Sequence, residues 1–159
     1  MNPPYIPRWE GVAPLWYWVE QALAPLKTEV VLGITTWARE LTMLKVFETQ
    51  FPGGPRTIRV RLQPLVGVLG LAFYPPELIK EPEAGDVILN SNVDWFASSN
   101  RPLLLPLMIH EAGHSFGMGH SYLPESVMFP NITPGKVNLS RIDRWQFRAL
   151  YNGEITPHP

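Results

Sequence analysis

The chain has 159 residues, 13 Lys and Arg against 14 Asp and Glu, a net charge of −1, and no cysteine. That balance, with no basic stripe, argues against nucleic acid or an anionic membrane surface as a partner. No apolar run approaches the roughly 18 residues of a membrane span, and the missing thiols exclude disulfides, thiolate metal ligands and a cysteine nucleophile.

Hydrophobic residues make up 45%, enough for one packed domain over residues 1–159, and the 18 prolines punctuate apolar runs, which predicts short elements and stiff loops. "MNPPYIPRWEGVAP" (1–14) reads as an extended arm with no secretory-signal pattern. "LWYWVE" (15–20) reads as a strand. Over 27–40, Val30, Val31, Ile34, Trp37, Ala38 and Leu41 recur at helical spacing, weakened by Gly33 and several β-branched residues. "TMLKVFET" (42–49) and "TIRVRLQ" (57–63) alternate like half-buried strands across the turn "FPGGP". "VGVLGLAFYPP" (66–76) suits an edge or bulged strand, and "GDVILN" (85–90) another strand. "LLLPLMIHEAGHSFGM" (103–118) predicts a buried helix whose first turn holds Pro106 or which kinks there. "LSRIDRWQFRALYNG" (139–153) predicts a last helix capped by Ser140, and 154–159 a tail. The order gives an α+β domain.

Three of the four histidines fall in "HEAGHSFGMGH" (110–120). His110 and His114, four apart on a helix, face the same way and can reach one ion. Glu111 is rotated about 100° from His110, where it can overhang the ion as a general base without ligating it. Gly117 can take positive φ, end the helix and return His120 as a third ligand. Three neutral nitrogens leave the fourth zinc position to water, as in a catalytic site. A lone His is best read as a satisfied core residue. The whole HExxHxxGxxH string arises by chance in a chain this size on the order of once in 100,000.

With "VMFP" downstream, this string is similar to the metzincin zinc peptidases, and within them to the matrixins, the matrix-metalloproteinase group, in which a Ser follows the third His as Ser121 does. The resemblance implies a zincin-like α+β fold: a twisted mixed sheet of about five strands with an antiparallel edge strand, packed on two helices, plus a C-terminal helix. It implies that Met128 forms an apolar floor under the ion, with Asp143 anchoring its turn. "IPRWE", "TTWARELTMLKVFE", "GLAFYPP", "GDVILN" and "LSRIDRWQFRALY" resemble other family segments in the family's order. It also implies an extended peptide or protein substrate along the edge strand at Gly70 and Leu71, with Pro130 and Ile132 walling a pocket for a hydrophobic residue after the cut.

The chain departs from the family where matrixins bind further ions. The expected histidines align with Ala72 and Ile88, and "NSNV" (90–93) lacks the carboxylates that calcium needs. One catalytic zinc is therefore expected, with no structural zinc and no calcium there. A monomer is expected, extracellular by family resemblance if a leader was removed. No cysteine-bearing prosegment is visible, so latency would call for a separate inhibitor or another restraint. Two other readings stand beside the zinc endopeptidase: a catalytically silent metzincin scaffold that binds peptides, and a zinc hydrolase of non-peptide amides or esters.

Overall fold

The computed structural model describes residues 8–9, 13–76 and 82–152; most of the expected arm and the whole tail lie outside them. The elements in chain order are β1 (Leu15–Val19), a 3-10 segment (Gln21–Leu26), α1 (Lys27–Ala38), β2 (Val46–Glu48), β3 (Thr57–Gln63), β4 (Gly70–Ala72), β5 (Val87–Asn90), α2 (Arg101–Ser115) and α3 (Arg141–Asn152). The sheet runs β2-β1-β3-β5-β4, with every pair parallel except β4–β5. This is the expected mixed α+β sheet, with its one antiparallel strand at an edge. No helix among the described residues is long and apolar enough to cross a membrane.

Parallel strands are covered by helices, so β5 reads as continuously buried Val87, Ile88, Leu89 and Asn90 rather than alternating. Helices α1 and α2 cross on the sheet at one close point. A Cβ on Gly33 would lie 2.6 Å from Met108 Cβ and 2.8 Å from its carbonyl carbon. The glycine that weakens the α1 pattern is thus what the crossing requires. Trp37, fully buried one turn on, donates its indole N–H to the Ile109 carbonyl at 2.7 Å and meets Phe147 of α3 edge-on at 5.0 Å. One side chain thereby joins all three helices.

Boundaries differ from expectation where turns compete. Residues 42–45 are not strand; backbone bonds from Leu41 N to Ala38 O and Leu44 N to Leu41 O keep the α1 exit tightly wound. The edge strand narrows from 66–76 to three residues because Gly67, at φ +76°, turns the chain beforehand. Helix α2 starts at Arg101, with Pro102 in the first turn where no N–H is needed, and continues through Pro106 in its second turn.

Candidate metal centre

The centre is built on the end of α2. His110 and His114 come from one face, and the helix then stops in a Schellman motif. Gly117 at φ +103° donates to His114 O at 2.8 Å, and Met118 donates to Gly113 O at 2.8 Å. The turn returns His120 to the other two. Elements distant in sequence brace this helix end: the indole of Trp9 donates to Ser115 O at 2.9 Å and the Tyr151 hydroxyl to Phe116 O at 2.7 Å. These satisfy carbonyls that a helix C-terminus leaves without intrahelical partners.

His114 Nε2 lies 3.2 Å from His110 Nε2 and 3.1 Å from His120 Nε2. The Nδ1 atoms of His110 and His114 face the carbonyl oxygens of Val127 at 2.8 Å and Met118 at 2.7 Å, so those nitrogens carry the protons. Burial lowers the pKa of both rings, that of His114 to about 4, which keeps them neutral. Their Nε2 lone pairs therefore converge with no proton between them, an arrangement that repels unless a cation sits among them. Tetrahedral zinc with nitrogen ligands holds neighbours about 3.4 Å apart, close to the two separations at His114, and the three ligand nitrogens lie within 4.8 Å of one another, so the donor set suits that ion.

The carbonyl that orients His110 is itself held from α3. Asp143, fully buried, accepts from Val127 N at 3.0 Å, from Ser126 Oγ, and from Ser140 N and Oγ at 2.8 and 2.7 Å. Ser140 Oγ in turn accepts from Asp143 N at 3.2 Å, so the acid that pins the 126–128 turn also completes the helix cap. Met128 at that turn is fully buried against α2: a Cβ on Gly113 would lie 2.3 Å from its Sδ.

Glu111, 6% exposed, faces the same cleft, and burial pushes its carboxyl up to about 7. The cleft encloses about 510 Å³ and is lined by the three histidines, Glu111, residues 67–72, Leu107 and residues 130–132. Of the sequence candidates, Gly70, Leu71, Pro130 and Ile132 all line it, Pro130 exposed and Ile132 half-buried. Gly70 lies against the Glu111 side chain: a Cβ there would sit 3.3 Å from Glu111 Cγ. Leu69 O accepts from Asn90 N and Phe73 N donates to Asp86 O, so by antiparallel alternation the backbone groups of Gly70 and Ala72 point outward while those of Leu71 join the ladder. Sequence reasoning missed Ala72 as a cleft residue. It also missed Leu107, one turn before His110, where helical spacing alone would have indicated it.

Ile88 faces Leu71, and Ala72 faces Val87, so a side-chain pair bridging β4 and β5 at Ile88 involves Leu71. Both partners are apolar and offer a metal no lone pair.

Residues 47–152, about two thirds of the chain, match the Matrixin family model. Metalloendoproteinase 2-MMP of Arabidopsis thaliana is 33% identical over 115 residues, covering 60% of this chain and 29% of that protein. Macrophage metalloelastase of Rattus norvegicus is 33% identical over 92 residues, 56% of this chain and 19% of its own length. Metalloendoproteinase 5-MMP of A. thaliana is 26% identical over 159 residues, 92% and 37% of the two chains. The chain thus spans well under half the length of these relatives. On this match, and with the three-histidine cluster at the helix end, the chain belongs to the matrixin family of zinc metallopeptidases.

Proposed function

We propose that this chain is a single-domain, monomeric zinc endopeptidase that cuts extended peptides and favours a hydrophobic residue after the cut. The observation that carries the reading is the convergence of His110, His114 and His120 beside buried Glu111, in a cleft whose far wall is a sheet edge with outward backbone groups. Zinc held by the three imidazoles would supply Lewis acidity, polarising a carbonyl and acidifying a water. Glu111 takes the proton from the attacking water and returns it to the leaving amine. Its raised pKa suits both directions, and a dication alongside draws the carboxyl back toward its charged, accepting form.

The substrate pairs antiparallel with β4 through Gly70 and Ala72, which fixes its direction and holds the scissile bond over Glu111. Leu107, Pro130 and Ile132 give the next side chain an apolar seat. The proposal includes one catalytic zinc, with no structural zinc at Leu71, Ala72 and Ile88 and no calcium at residues 90–93.

The test is digestion of a peptide mixture with cut sites mapped by mass spectrometry, comparing the native chain with Glu111→Ala, each with and without a chelator. Cuts that need both Glu111 and zinc, followed by hydrophobic residues, are expected. Empty maps from a zinc-loaded native chain would sink the reading and favour a peptide-binding module or a hydrolase of other bonds.

A further inference from the structure

The loop from β3 to β4 (residues 64–69) forms one rim of the cleft through Gly67, Val68 and Leu69. Its own sequence gives it little anchorage: Val66 is 97% exposed, Val68 is 50% exposed, and Gly67 sits at φ +76°. What fixes it is a side chain from the neighbouring strand. Asn90, the last residue of β5 and 5% exposed, accepts through Oδ1 from Leu65 N at 3.1 Å and Asn92 N at 2.9 Å. Through Nδ2 it donates to Leu65 O at 3.0 Å and Val68 O at 2.7 Å. Two acceptor sites and two donors are all that a primary amide has, so its capacity is filled. The amide's orientation is fixed too, since a flipped amide would set its NH2 against two N–H groups and its oxygen against two carbonyls.

Backbone bonds extend the clasp on both sides. Asn90 N donates to Leu69 O at 3.0 Å and Ser91 N to Gln63 O at 2.9 Å, bracketing the loop at its ends. Asn92 adds a weaker side-chain contact to Leu65 O at 3.3 Å. One buried amide therefore holds Leu65 and Val68 in a loop whose own apolar anchor is Leu69, partly buried against the core. The next residue after that loop is Gly70, where a Cβ would meet Glu111 Cγ at 3.3 Å.

We propose that Asn90 is the positioning residue of the peptide-binding edge: its amide locks the 64–69 loop and so sets where β4 lies relative to Glu111. Asn90 touches neither the histidines nor the cleft, and it acts through Leu65 and Val68. An aspartate has the same shape and keeps the two accepted bonds, but it turns lone pairs toward two carbonyls. Only the donor half of the clasp is then lost. The kinetic part of this inference rests on the peptidase reading; the loop part does not.

The test compares the native chain, Asn90→Asp, and Asn92→Ala as a control that removes only the weak contact. Zinc content, amide hydrogen exchange, and kcat and KM on a peptide long enough to pair along β4 are measured for each. Asn90→Asp is expected to keep its zinc and a kcat within about threefold of native. Its KM should rise about tenfold and exchange over residues 65–71 should accelerate about a hundredfold, with Asn92→Ala near native. Unchanged exchange and KM would overturn the proposal. So would a loss of zinc and kcat in step with KM, which would mark Asn90 as a general stability residue. If the native chain cleaves nothing, the peptidase reading fails alone. Exchange on the zinc-loaded chain then still decides, upholding the clasp if acceleration is confined to 65–71 and rejecting it if there is none.

Discussion

At the scale of single residues, the site is a set of short relays ending on the imidazoles. Asp143 holds Val127, and Val127 holds the ring of His110. Asp143→Asn puts an N–H2 where an acceptor is needed and leaves a buried donor facing donors. Zinc affinity should fall about 10- to 100-fold, as for other outer partners of metal ligands, measurable by competition with a chromophoric chelator. Native affinity in that variant would mean His110 is oriented by packing alone. Glu111→Gln keeps volume and burial but removes the proton acceptor, so peptide cleavage should drop about 10²- to 10⁴-fold with zinc content unchanged. A fall in zinc content instead would make Glu111 a partner in binding. The histidine–glutamate string was legible in the sequence because helical geometry is local and its three histidines lie within one turn and a cap. Ala72 and Asn90 were not, because their roles depend on strand register and on a loop that arrives from another strand.

Among the elements, Gly33 marks where the backbones of two helices meet, and it cannot accept a side chain. Gly33→Ala would gain about 1 kcal/mol of helix propensity, yet its methyl would overlap Met108 backbone, at a typical overpacking cost of about 1–3 kcal/mol or more. The net should be a thermal midpoint lower by several degrees, at about 2–4 °C per kcal/mol for a chain of this size. Gly119→Ala meets nothing within 4 Å and should leave the midpoint nearly unchanged. Equal midpoints for the two variants would mean that the helices separate at little cost. Read from sequence, Gly33 lowers the helical score of 27–40; read from the crossing, it is why α1 and α2 can pack so closely. The fold class and the order of elements were legible through periodicity. Element ends were not, since the α1 exit and the short β4 are set by turns such as that at Gly67.

For the whole molecule, the ion is expected to be a structural partner as well as a chemical one. Held by the three imidazoles, it would join the helix end to the chain after Gly117, in the region that α3 and Trp9 brace. Zinc at a thousandfold excess over its dissociation constant adds about 4 kcal/mol of stability. Calorimetry with and without chelator should therefore show the midpoint falling by about 8–16 °C on removal and recovering on readdition. No shift would mean that the three imidazoles do not hold the ion. The shortness of β4 has a consequence for the partners of the chain rather than for the chain itself. Three residues at an open sheet edge can engage only a segment that has already given up its own helix or sheet pairing. For a folded target, the rate of cutting should then track how often that segment frays, which is a property of the target's local stability. Two proteins with the same cleavage sequence, one in a tail and one in a helix, should be consumed at rates separated by the free energy of opening that helix.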